Sequence, residues 1–125
     1  MKVLIADDDK VLTRLAAAGL KTRGWQIEVA NDAMQALMFA MRPPHPDVIA
    51  LDIGMPGGTG FDVLKKLQQS SRTSQIPVVV VSGSISEAEE ARVTELGAVA
   101  FLRKPVDAQT LHDTLSRAAG QPVGS

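Results

Sequence analysis

The sequence predicts an open α/β fold, a doubly wound parallel sheet of five strands, and three observations carry that prediction. Five short apolar runs recur along the chain: "VLIA" (3–6), "WQIEVA" (25–30), "VIAL" (48–51), "PVVVV" (77–81) and "AVAFL" (98–102). Four of the five are almost continuously apolar, as strands covered on both faces are. Between them lie segments with helical spacing. Strict alternation of strand and helix implies right-handed crossovers and a parallel sheet with helices on both faces.

Each element has its own signals. The second run interleaves Gln26 and Glu28 with apolar residues and reads as an edge strand. A first helix is expected over 10–23, with Asp9 as N-cap, Gly24 as stop, and Leu12, Leu15, Ala16, Gly19 and Leu20 on its inner stripe. The second, over 32–42, presents Ala33, Ala36, Leu37 and Ala40 and ends at "PPHP". The third runs from Thr59 to about Ser70 on Phe61, Leu64 and Leu67. The fourth, over 86–96, opens with Ser86 and Glu89 at capping-box spacing and stops at Gly97. It turns Ala88, Ala91 and Leu96 inward, the thinnest stripe of the five, so it is the helix expected to dock least firmly. The last, near 107–119, has Asp107 as cap and Ala108, Leu111, Leu115 and Ala118 inward. One domain is expected over residues 1–120, with 121–125 as a frayed tail or the start of a linker.

Composition narrows the functions. A chain of 125 residues, 45% apolar and 22% charged, has the balance of a globular domain. A net charge of -1 and 3% aromatic content leave neither the basic footprint nor the stacking surface of a nucleic-acid binder. The absence of cysteine rules out disulfides and thiolate metal sites. No apolar segment approaches the roughly 20 residues of a membrane span, and a cytoplasmic location is expected.

The polar residues at the strand ends carry the chemistry. In open α/β sheets ligands bind beyond the carboxyl ends of the strands, where strand order reverses. Asp7 and Asp8 follow the first run, Asp52 the third, Ser82 the fourth, and Lys104 comes two residues after the fifth. Strands 1 and 3 are expected to be neighbours at the reversal, which brings three carboxylates together. Two carboxylates about 5 Å apart repel by roughly 3 kcal/mol at an effective dielectric near 20. A cation must compensate, and oxygen donors without His or Cys favour a hard ion such as Mg2+. Lys104 adds a compact ammonium suited to a phosphate-like oxygen, and Ser82 a hydroxyl donor. Together they suit phosphoryl transfer to Asp52.

With these residues in view, the chain resembles the receiver domain of two-component response regulators over nearly its whole length. "VLIADDDKVL" is similar to the family's acidic-pair segment and "PDVIALDIGMPGGTGFDVL" to its phosphoacceptor segment. "IPVVVVSGS" is similar to the hydroxyl segment and "GAVAFLRKPV" to the Lys-Pro segment. The resemblance implies a flavodoxin-like (βα)5 fold with strand order 2-1-3-4-5. It implies that Asp52 accepts phosphoryl from a histidine kinase or phosphotransfer protein. Asp7, Asp8, Asp52 and the backbone carbonyl of Gly54 would then hold Mg2+, with Lys104 and Ser82 gripping the phosphoryl group. Phe101 looks like the family's aromatic switch residue, and the Lys104–Pro105 bond is expected to be cis. Departures are Gly54 and Ser84, small where the family tends to carry larger side chains, Ser82 for the commoner Thr, and Phe101 for the commoner Tyr.

Plainer readings stand beside these. Asp9 reads as an N-cap rather than a ligand, Phe101 could be plain core, and Trp25 partial core. Gly57, Gly58 and Gly60 read as turn residues of the loop after Asp52. His45 and His112 lack metal-ligand spacing. The functional reading is a signalling switch whose surface formed by the fourth helix, the fifth strand and the last helix is read by a downstream protein, with no direct nucleic-acid contact. The alternatives are a receiver cut from a larger regulator or hybrid kinase, a small aspartyl-phosphate phosphatase, and a degenerate interaction module. The phosphatase lacks a second carboxylate two residues after Asp52, where Gly54 stands.

Overall fold

The computed structural model describes residues 1–55, 60–83 and 85–120. Strands β1 (Lys2–Ala6), β2 (Gln26–Ala30), β3 (Val48–Leu51), β4 (Val78–Ser82) and β5 (Ala100–Arg103) alternate with helices. These are α1 (Lys10–Lys21), α2 (Ala33–Met41), α3 (Gly60–Gln69), α4 (Glu87–Glu95) and α5 (Ala108–Ala118). The strands form one parallel sheet in the order β2-β1-β3-β4-β5, as expected, and order reverses between β1 and β3. Among the described residues no helix is long and apolar enough to cross a membrane.

The unbroken apolar runs are explained by two cores, one on each face of the sheet. Leu4, Ile49, Leu51, Val78 and Val80 point to the α2–α3 side, where Ala36, Ala40, Leu64 and Leu67 meet them. Val3, Ile5, Val48, Val79 and Val81 point the other way, onto Ala16, Leu20, Leu111 and Leu115 of α1 and α5. Successive strand residues alternate faces, so a strand buried on both sides needs an apolar residue at every position.

Capping follows the sequence signals. Asp9 accepts from the amides of Val11 and Leu12, Asp32 from Gln35 and Asp107 from Thr110. Ser86 and Glu89 close both bonds of the capping box. Gly24 and Gly97 have φ of +82° and +103°, a region where a side chain is strained, and each follows a helix end. Lys104–Pro105 is cis, as expected, and Pro43–Pro44 is cis as well.

Five expectations need correction. Leu15 is 66% exposed and Thr13 is buried in its place, because the α1 contact line runs through Thr13, Ala16 and Leu20 and leaves Leu15 on the flank. On α4, Ala88 and Ala91 are exposed and Val93 is the buried residue, while Leu96 at the C-cap is half-buried against the core. On α5, Ala108 is exposed while His112 and Ser116 are buried, since this helix packs on both the sheet and α1. The His112 ring lies 5.4 Å from that of Trp25, which is more deeply buried than expected. Finally, Gly60 does not serve a turn. It opens α3 against Ile53, and a Cβ there would stand 2.1 Å from the Ile53 Cα. Gly57, Gly58, Thr59 and Ser84 lie outside the described residues, as does the tail 121–125.

This close approach gives a direct test. Gly60→Ala should destabilise the domain by about 2 kcal/mol or more through overpacking against a backbone atom. At Gly54 the same methyl meets only ordinary contact, 3.5 Å from Asp52 Oδ1, and Gly54→Ala should leave stability nearly unchanged. Urea midpoints of the two variants measure the difference.

Candidate functional site

The site is assembled by parallel register. Ala6 pairs with Leu51, so the next residues, Asp7 and Asp52, leave adjacent strands side by side at the reversal point. The Asp52 amide donates to the Ala6 carbonyl at 2.9 Å, extending the ladder one step and fixing their separation. Ser82 ends β4 and is buried, and Lys104 follows β5 with its amide donating to the Ser82 carbonyl at 3.0 Å. Strand ends β1, β3, β4 and β5 therefore deliver their polar residues to one rim.

The side chains converge. The Lys104 ammonium lies 2.7 Å from Asp7 Oδ2 and 3.3 Å from Asp52 Oδ2. Asp7, Asp8 and Asp52 each offer an oxygen within 4.8 Å of the others, with Asp7 and Asp52 buried and Asp8 exposed. The Asp9 amide donates to Asp7 Oδ1 and the Gly54 amide to Asp52 Oδ1, each at 3.0 Å, so both buried carboxylates are oriented from the backbone. Asp9 itself is the α1 cap, as expected, and stands outside the trio.

Two cavities meet at Asp52. One, of ≈ 230 Å³, lies between α1 and α5 and is walled largely by apolar side chains such as Leu12, Ala16, Val81 and Leu111, with Asp7 at its edge. The other, of ≈ 420 Å³, is more open; Asp52, Ser82, Glu89 and Lys104 line it together with Ile53, Gly54, Phe61 and Gly83. Glu89 was read from sequence only as a helix cap. Its place could have been inferred, because every helix that follows a strand of a parallel sheet starts at the rim where ligands bind.

Electrostatics follow from this placement. Burial pushes the Asp7 carboxyl above its ordinary value and the nearby Asp52 charge adds to that, while the bonds from Lys104 and the Asp9 amide pull it back only in part. For Lys104 burial opposes the charged form, but the bond to Asp7 and the fields of Asp52 and Asp7 outweigh it and hold the ammonium above its usual range. The donors around the trio are all oxygen and their spacing suits several bonds to one hard divalent ion, so the residues present fit Mg2+.

Phe101 is half-buried and packs against the α2–α3 core. The Arg103 guanidinium sits 5.4 Å from its ring centre and also donates to the Ile85 carbonyl and to Glu90, each at 3.0 Å. This arginine ties β5 to the start of α4. Sequence reasoning missed it, because nothing local marks a strand-end arginine as a bridge. His45 and His112 lie outside the acidic trio.

The family model for the response regulator receiver domain matches residues 3–116. The chain belongs to that family. Protein PilH of Pseudomonas aeruginosa is 34% identical over 115 residues, covering 92% of this chain and 94% of PilH. Response regulator PleD of Caulobacter vibrioides is 37% identical over 106 residues, covering 85% of this chain and 23% of PleD. The chain thus spans under a quarter of the length of one relative and nearly all of another. Among solved structures, the chemotaxis response regulator CheY4 of Vibrio cholerae superposes with a TM-score of 0.86 at 31% identity, covering 94% of this chain and 97% of that one. In this receiver domain, the flavodoxin-like topology and the acidic hollow agree with what the motifs imply.

Removing the ammonium tests its hold on the two buried carboxylates. Lys104→Met should cost about 1–3 kcal/mol at neutral pH, less than a fully buried pair because Lys104 keeps some solvent contact. Since the folded protein raises the Lys104 pKa above 10.5, its contribution is fully present below that pH. It disappears as pH rises through the folded value. Above the range where the carboxylates titrate, denaturation curves of the parent and variant should therefore stay apart until strongly alkaline pH, where they converge.

Proposed function

We propose that this receiver is a phosphorylation-driven signalling switch in which Asp52 accepts a phosphoryl group from a phosphohistidine of a sensor kinase or phosphotransfer protein. The observation that carries this reading is the Lys104 ammonium held between Asp7 and Asp52 at the edge of an open cavity.

The chemistry divides among the chain's own residues. An Asp52 carboxylate oxygen attacks phosphorus, the N–P bond of the donor breaks, and the imidazole leaves. Asp7, Asp8, Asp52 and the Gly54 carbonyl are the residues assigned to Mg2+, which when bound supplies positive charge to the transferring oxygens. Lys104 exchanges its bond to Asp52 for one to a phosphoryl oxygen. The Ser82 hydroxyl, on the wall of the same cavity, donates to another. Exposed Val11 and Leu15 on α1 flank the site and offer the donor protein an apolar footing.

Output follows from the strand end that moves. Drawing Ser82 toward the phosphoryl group opens space beside Phe101, which turns inward as the switch residue. Arg103 bridges Phe101 to α4, a helix whose buried residue is Val93 and whose thin apolar contact lets it shift at small cost. A downstream protein then reads the α4–β5–α5 surface. The reading makes residues 1–120 the receiver, assigns it to the cytoplasm, and needs no direct contact with nucleic acid. Gly54, standing where an aspartyl-phosphate phosphatase needs its second carboxylate, favours a switch over an enzyme that turns over a small substrate.

Incubation with acetyl phosphate and Mg2+ should add one phosphoryl mass to the protein, and Asp52→Asn should abolish the gain. Sustained release of phosphate from the donor would instead mark an enzyme. Chelation of Mg2+ should suppress the labelling. In the absence of donor, Mg2+ should raise the thermal midpoint of the parent, since an ion bound by the folded state stabilises it. Asp8→Asn should lose most of that rise. An undiminished rise in Asp8→Asn would remove the exposed aspartate from the ligand set.

A further inference from the structure

Glu89 has a position that its role as a helix cap does not require. Glu89 lines the open cavity together with Asp52, Ser82 and Lys104, and Asp52 and Glu89 are the two acidic residues among its described walls. One oxygen, Oε1, accepts from the Ser86 amide while the Glu89 amide donates to Ser86 Oγ, each at 3.1 Å. The box anchors the side chain at the first turn of α4, and Oε2 takes no part in it. Once Asp52 carries a phosphoryl group, Glu89 is the carboxylate that remains at the cavity.

The cavity has room for the reactant that a carboxylate acts on. Its ≈ 420 Å³ greatly exceeds the roughly 30 Å³ share of one liquid water. Two residues on the walls, Gly54 and Gly83, bring no side chain to exclude solvent. From these observations we infer that Glu89 orients and deprotonates the water that hydrolyses phospho-Asp52, and so sets the lifetime of the signal. The inference rests on Asp52 being the phosphoacceptor. In the step, the water oxygen forms a bond to phosphorus as the bond between phosphorus and Asp52 Oδ breaks. The electron pair returns to the Asp52 carboxylate, the water proton passes to Glu89 and then to solvent, and inorganic phosphate leaves.

The capping box supplies the control. Glutamine closes the same box as glutamate but cannot take a proton. The protein is labelled with acetyl phosphate and Mg2+, the donor is removed, and loss of the label is followed by intact mass. Glu89→Gln should fold with the parent's thermal midpoint and hold its phosphoryl group about 10-fold longer or more, a threshold set below the roughly 100-fold that a positioned base contributes at the least. Ser86→Ala breaks the box from the other side and leaves the carboxylate. It should lower the midpoint of unfolding while its label decays within about twofold of the parent, too small a change for the loss of a base. A Glu89→Gln decay within that same margin overturns the inference, as does a Ser86→Ala decay slowed as much as that of Glu89→Gln. Failure of the parent to take any label overturns instead the reading of Asp52 on which the inference rests.

Discussion

Two carboxylates forced out of water on neighbouring strands are the constraint on which the rest of the structure depends. Parallel register sets Asp7 and Asp52 side by side, and both carboxylates are buried, Asp7 at the edge of the apolar cavity between α1 and α5. Repulsion between such charges is of order 3 kcal/mol, a sizeable part of the net stability of a small domain. The fold accommodates it with two backbone amides, one to each carboxylate, and a single ammonium from the far side of the sheet. The result is a hollow that favours added positive charge and has a cation able to change partners. In the proposed switch, the site is poised for phosphoryl transfer because the resting arrangement is only partly compensated.

In the proposed switch, the same arrangement links the local reaction to a distant surface. Lys104 and Ser82 belong to the ends of adjacent strands, joined by the Lys104 amide to the Ser82 carbonyl. A new bond at either side chain is felt by both β4 and β5. Beyond them, Arg103 spans Phe101, Ile85 and Glu90, and α4 has little apolar surface to resist displacement. An energy difference of 1.4 kcal/mol changes a two-state ratio tenfold, so one or two charge-assisted bonds suffice to move such an element.

Much of this was legible in the residues alone. Continuous apolar runs gave the parallel sheet because strands buried on both faces allow no polar position, and Asp7, Asp8, Asp52, Ser82 and Lys104 fell in register at their ends. Helix faces were harder. A stripe drawn by apolarity put Leu15 inward, yet the hydroxyl of Thr13 is satisfied by the Lys10 carbonyl, so a polar residue could take the buried place. On α4 the alanines are too small for apolarity to indicate which side faces the core. His112 is buried through contact with Trp25, a neighbour distant in sequence that no local pattern announces. Gly60 looked like a turn residue because close approach and turning leave the same mark on a sequence. Arg103 and Glu89 carry their importance in three-dimensional neighbours, which spacing along the chain does not reveal.

The account's central claim is that one ammonium, now shared by two aspartates, is the group that grips the transferred phosphoryl. Beryllofluoride with Mg2+ forms a stable mimic of an aspartyl phosphate, and a crystal structure of that complex tests the claim most directly. The account predicts beryllium on an oxygen of Asp52, the metal against Asp7 and Asp8, and Lys104 and Ser82 each bonded to fluoride. A complex in which Lys104 stays on Asp7 and Asp52 with no contact to fluoride, or in which the adduct forms on another residue, contradicts it.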